Sequence, residues 1–138
     1  MIRAVIDTNV FVSALISPSG NEATIVLAIH QRLIKPFFSA EILEEYAEVL
    51  ARPKFGLPPD EIKALLALLR RRGEEVSNPE QLNLALPDSA DEKFVACALS
   101  AQAEFLVTGN KRHFPQKACK GVAVVNAAEL LYRIALEI

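Results

Sequence analysis

The sequence predicts an α/β protein with a parallel sheet, and three observations carry that reading. Short β-branched runs alternate with longer helical patterns along the chain, which is the order that builds a parallel sheet covered by helices. The first run, IRAVI, is apolar almost throughout, as in a strand buried on both faces. At 138 residues, 51% hydrophobic and 23% charged, the chain has the size and composition of one compact domain with a single core.

Each element follows from local pattern. IRAVI is the first strand. VFVSALIS and NEATIVLAIHQRLI read as helices parted by SPSG, where Pro18 and Gly20 make the turn. KPFFS is a brief strand, after which Ser39 caps the helix AEILEEYAEVLA, stopped by Pro53. PPDEIKALLALLRRRG has proline at its start, Gly73 at its end and arginines in its last turn, all suited to a helix. PDSADEKFVACALSAQA is the next helix. The strand EFLVTG, a polar loop, the strand GVAVV and the helix NAAELLYRIALEI complete the chain.

Charge and cysteine usage bound the function. The net charge is -2, so contact with nucleic acid has to use a local basic patch rather than a global field. Cys97 and Cys119 lack metal-ligand spacing and are too few for a disulfide framework, which fits a reducing cytoplasm. No apolar run is long enough to span a bilayer, and the first apolar run, broken by Asp7 and Asn9, does not read as a signal peptide, so no membrane partner is expected.

In an open parallel sheet ligands bind beyond the carboxyl ends of the strands, where strand order reverses. Asp7 ends the first strand, and Thr108, Gly109 and Asn110 end a later one. In the helix from Glu41 to Ala51, Ile42, Leu43, Tyr46, Val49 and Leu50 form an apolar stripe. Glu41, Glu44 and Glu48 lie opposite that stripe and Glu45 at its border. Asp91 shares the inward face of its helix with Phe94, Val95 and Ala98, whereas Asp88 or Ser89 supplies the N-cap and Ser89 with Glu92 has capping-box spacing. Asp7, Glu45 and Asp91 thus fall at one end of one sheet. Like charges gathered in a cleft repel unless a cation sits among them, and hard oxygen donors select Mg²⁺ or Mn²⁺. The segment TGNKRHFPQKACKG adds Lys111, Arg112, Lys117 and Lys120 without an acid, with His113 and Phe114 as candidates to stack on a base. The plain alternatives are an exposed His113 and a Phe114 anchored in the core.

VIDTNVFVSAL, EILEEYAEVLARPKF and DSADEKFVACALSAQAEFLVTGNKRHFP, in this order and spacing, resemble the PIN-domain ribonucleases, and in particular the branch found as toxins of toxin–antitoxin pairs. The resemblance covers nearly the whole chain, as a single PIN-like domain over residues 1–138. It implies a three-layer α/β/α sandwich with a four- or five-stranded parallel sheet. Asp7, Glu45 and Asp91 then match the family's first three acids, as catalytic residues and metal ligands, with Asn9, Thr108, Asn110 and Asp88 in support. Lys111, Arg112 and His113 are the expected RNA contacts. The chain departs from the family at Asn110, where Thr-Gly-Asp is usual, and a neutral amide there favours one Mg²⁺ or Mn²⁺ over two. The implied activity is metal-assisted hydrolysis of RNA, the implied partners an RNA substrate and an antitoxin. The Ala/Leu-rich helices leave a homodimer open, although core packing explains them as well.

Two other classes compete. A phosphoacceptor receiver domain shares the strand-end aspartate but would bring a pair of acids near the first strand and leave Glu45 unexplained. A catalytically weak or silent PIN-like module that only docks RNA or protein is kept open by Asn110.

Overall fold

The computed structural model describes residues 1–137. Five strands form one parallel sheet: β1 (Ile2–Ile6), β2 (Ile34–Phe38), β3 (Glu74–Glu75), β4 (Phe105–Val107) and β5 (Ala123–Val125). Their spatial order is β3-β2-β1-β4-β5. The chain builds outward from β1 in one direction through β2 and β3, then returns to add β4 and β5 on the other side. The reversal lies between β1 and β4, so their carboxyl ends flank the crevice that open α/β sheets use for ligands.

Six helices connect and cover the strands: α1 (Thr8–Ile16), α2 (Asn21–His30), α3 (Ala40–Leu50), α4 (Pro59–Arg72), α5 (Glu92–Ala101) and α6 (Ala127–Glu137). Ala4, Val5 and Ile6 are consecutive and fully buried, as are Leu106 and Val107 with Phe105 nearly so. Successive strand residues point to opposite faces, so helices must cover both, giving the expected three-layer α/β/α arrangement. On α3, Ile42, Tyr46 and Leu50 are buried while Glu41, Glu44 and Glu48 face solvent, as the helical projection requires. Phe11 meets Tyr46 edge to face at 5.0 Å between centroids, joining α1 to α3 beneath the carboxyl edge of β1.

Several local details differ from the sequence reading. The second helix ends at His30 rather than continuing through Ile34: Arg32 takes the left-handed conformation at φ 64°, and Ile34 pairs with Ile2 in the sheet. The edge strand β3 escapes pattern reading because it has only two residues, both exposed glutamates. Gly73 is needed for close approach rather than flexibility, since a Cβ there would lie 2.4 Å from the Pro36 carbonyl oxygen of β2. The expected Ser89–Glu92 capping box does not form. Asp88 caps a short 3₁₀ turn at 89–91 by accepting from the Ala90 amide, and Glu92 instead accepts from the Leu84 amide.

Candidate metal and nuclease site

Asp7 follows β1 directly, and its amide donates to the Val107 carbonyl, extending the β1–β4 ladder by one bond at 2.8 Å. It occupies the N-cap position of α1, yet its carboxylate makes no capping hydrogen bond. The Thr108 hydroxyl donates to Asp7 Oδ2 instead, at 2.8 Å, from the end of the neighbouring strand. The carboxylate that interrupts the first apolar run therefore does not cap the helix that follows it but turns toward the end of β4. Only 5% of Asp7 is exposed, and this burial raises its pKa against the opposing effect of the Thr108 bond, with Glu45 raising it further.

Glu45 reaches the same edge from the second turn of α3. The Thr8 hydroxyl donates to Glu45 Oε2, and Lys93 Nζ lies 2.8 Å from Oε1. Beside it the buried Tyr46 hydroxyl donates to the Ile6 carbonyl at the end of β1, tying α3 to the strand that presents Asp7. Asp91 closes the group from the start of α5. Its Oδ2 is buried and accepts no hydrogen bond, and His113 Nδ1 is 3.5 Å away. Burial first, then the charges of Asp7 and Asp88, push the Asp91 carboxyl up to about 6. A buried oxygen without a donor is costly unless a ligand satisfies it, and a cation among mutually repelling acids does so.

The fit to a hard divalent cation is good for Asp7 and Asp91 and incomplete for Glu45, whose two oxygens are already engaged. Among the described residues, no three His, Cys, Asp or Glu side chains converge into a ready-made cage. Lys93 is the functional candidate that sequence reasoning missed, together with Thr8. A signal existed: a cation in the first turn of a helix opposes the helix dipole and implies a local partner.

The supporting residues divide. Thr108 is fully buried and faces Asp7, while Asn9 is exposed on the first turn of α1. The Asn110 amide donates to Thr108 Oγ1, and its side-chain oxygen accepts from the Arg112 amide, capping the turn at 111–113. Asp88 is likewise spent on a cap. The basic loop is less free than its sequence suggests, because Lys111 pairs with Glu129 of α6. Arg112, Lys117 and Lys120 are exposed. Phe114 is 1% exposed and packs edge to face on Phe94, so the core reading holds and base stacking does not. Cys97 is buried among the core residues, its thiol pushed up to about 12 by burial.

The PIN-domain family profile matches residues 3–112. The chain belongs to the PIN-domain family. The matched region includes Asp7, Glu45, Asp91 and the strand-end Thr108. An uncharacterized protein of Methanocaldococcus jannaschii, MJ1680, is 32% identical over 112 residues, covering 80% of this chain and 72% of that protein. In structure, this PIN domain is similar to a chain of the VapBC2 complex from Rickettsia felis bound to a DNA fragment from their promoter, with a TM-score of 0.56 at 15% identity, covering 91% of this chain and 98% of that one. PIN domains are generally nucleases and generally use divalent metal ions.

Proposed function

We propose that this PIN domain is a Mg²⁺- or Mn²⁺-dependent endoribonuclease, acting as the toxin of a toxin–antitoxin pair. The observation that carries the nuclease reading is buried Asp7 at the end of β1, whose charge is felt by Asp91 and which itself feels Glu45, together with the buried Asp91 oxygen that has no hydrogen-bond donor. Asp7 and Asp91 would hold the ion through their oxygens, with Glu45 joining once released from Lys93. A bound divalent ion supplies Lewis acidity toward a phosphate and lowers the pKa of a water. Thr108 holds Asp7 in orientation, and Thr8 does the same for Glu45. Exposed Arg112, Lys117 and Lys120 supply positive charge toward an RNA backbone, and His113 lines the edge of the acids. The likeness to the VapBC2 chain supports an antitoxin partner, and the sequence expectations of a homodimer and a cytoplasmic location are carried into the proposal.

The test is cleavage of a single-stranded RNA panel by purified protein with Mn²⁺, Mg²⁺ or EDTA. Cleavage that needs the metal and is lost in Asp7→Asn supports the enzyme. Metal-independent RNA binding without cleavage favours the silent binding module, for which the engagement of Glu45 by Lys93 and the neutral Asn110 speak.

A further inference from the structure

Lys93 is the one cation in hydrogen-bonding contact with the site's carboxylates among the described residues whose charge does not depend on imidazole protonation. It lies in the first turn of α5, two residues from Asp91, and its ammonium is 2.8 Å from Glu45 Oε1. Its side chain is 11% exposed and that of Glu45 27%, so the pair is screened much less than a surface ion pair. Nζ also donates to the Ala90 carbonyl in the turn just before the helix. With Thr8 on Oε2, both Glu45 oxygens have donors, while Asp91 Oδ2 has none. One positive charge thus answers a group of three acids and satisfies only Glu45. Lys93 is also among the residues lining a cleft of about 720 Å³ between the start of α3, residues 75–82 and the start of α5.

We propose that Lys93 is a tethered counter-cation that holds Glu45 until a divalent ion displaces it, and so sets the metal concentration at which the site loads. This rests on the reading that Asp7, Glu45 and Asp91 hold a divalent ion. Glu45 cannot give Oε1 both to the ammonium and to a metal at full strength, so loading includes breaking the Lys93–Glu45 pair. Lys93 is therefore a positioning residue that acts through Glu45, and its removal has opposite effects in the two states. The metal-free protein loses a favourable charge contact, whereas the metal-bound protein loses a competitor.

The experiment is isothermal titration of Mn²⁺ alone, without RNA, into wild type, Lys93→Met, Lys93→Arg and Asp7→Asn, with folding checked by circular dichroism. Lys93→Met should bind Mn²⁺ about tenfold tighter, a change of ~1.4 kcal/mol, and Lys93→Arg should stay near wild type. In a Glu45→Gln background the Lys93→Met effect should vanish, because the pair it breaks is already gone. If Lys93→Met fails to fold, Lys93→Gln carries the same expectation. Wild-type or weaker affinity in the neutral Lys93 variants overturns the proposal and leaves the metal reading intact if Asp7→Asn reduces binding. If wild type does not bind measurably, the neutral variant must gain binding. Absence in both overturns the proposal and the metal reading together.

Discussion

Thr108 and Asp7 are 101 residues apart in sequence and joined by one hydrogen bond of 2.8 Å, formed where β4 and β1 end side by side. The bond exists because the register places Val107 beside Ile6, so the next residue on each strand emerges at the same edge. A hydroxyl that donates to a buried carboxylate orients it without neutralising it, which leaves the other oxygen for a cation. Replacing Thr108 with Val keeps the shape and deletes the donor. Thr108→Val should lower thermal stability by about 1–3 kcal/mol, the cost of an unsatisfied buried acceptor, and weaken Mn²⁺ binding, as read by calorimetry. Unchanged values of both would remove Thr108 from the site.

Metal-free stability should fall as pH rises through the acid range. The Asp91 carboxyl has a folded pKa of about 6 against an ordinary 3.8, so between these values the folded chain keeps a proton that the unfolded chain has released. Stability falls with pH wherever the folded state binds more protons. Asp7 is shifted in the same direction. Urea denaturation in EDTA between pH 4 and 7 should show this decline, and Asp91→Asn should flatten it. A wild-type profile already flat across the window would mean that the acids do not strain the fold.

Mn²⁺ should reverse that cost. Binding to the native state alone at tenfold excess over the dissociation constant adds about 1.4 kcal/mol, or about 3–6 °C in melting temperature for a chain of this size. Asp7→Asn and Asp91→Asn should raise the metal-free melting temperature and shrink the Mn²⁺-induced increase. The same increase in every variant would place the ion elsewhere.

Phe114 distinguishes core from substrate contact in the basic loop. Because the ring is 1% exposed and stands 6.2 Å from Phe94 between centroids, Phe114→Ala should cost about 3–5 kcal/mol in chemical denaturation. A fully stable variant with weakened RNA binding would instead make it a base platform.

The family departure at Asn110 has a local explanation. Its side-chain oxygen caps the 111–113 turn, and an aspartate would provide the same acceptor. Asn110→Asp should therefore change metal-free stability by no more than about 0.5 kcal/mol and raise Mn²⁺ affinity by less than tenfold. A larger gain in calorimetric titration would show that the side chain turns toward the carboxylates when an ion is present.

Much of this site was legible because period and position along an element are local properties. Asp7 ends an apolar strand, Glu45 borders a helical stripe and Asp91 shares an inward face with Phe94, and each of these can be seen within a dozen residues. What the sequence hid depends on tertiary contact. The Lys93–Glu45 pair spans two helices, Lys111 is drawn off by Glu129, and Asn110 and Asp88 spend their side chains on turns. The two-residue β3 was hidden for the opposite reason, since Glu-Glu carries no strand pattern and is held by its pairing with Phe37 and Phe38 and by the Lys35–Glu74 ion pair.

The proposed site gathers Asp7, Glu45 and Asp91 around one divalent ion. Anomalous diffraction from a crystal soaked in Mn²⁺ tests it most directly. The expected result is a single manganese peak at the carboxyl ends of β1 and β4, about 2.1 Å from oxygens of Asp7 and Asp91, with Glu45 Oε1 turned from Lys93 toward the ion. A fully occupied manganese peak away from these carboxylates, or none in crystals of protein that cleaves RNA with Mn²⁺, would contradict it.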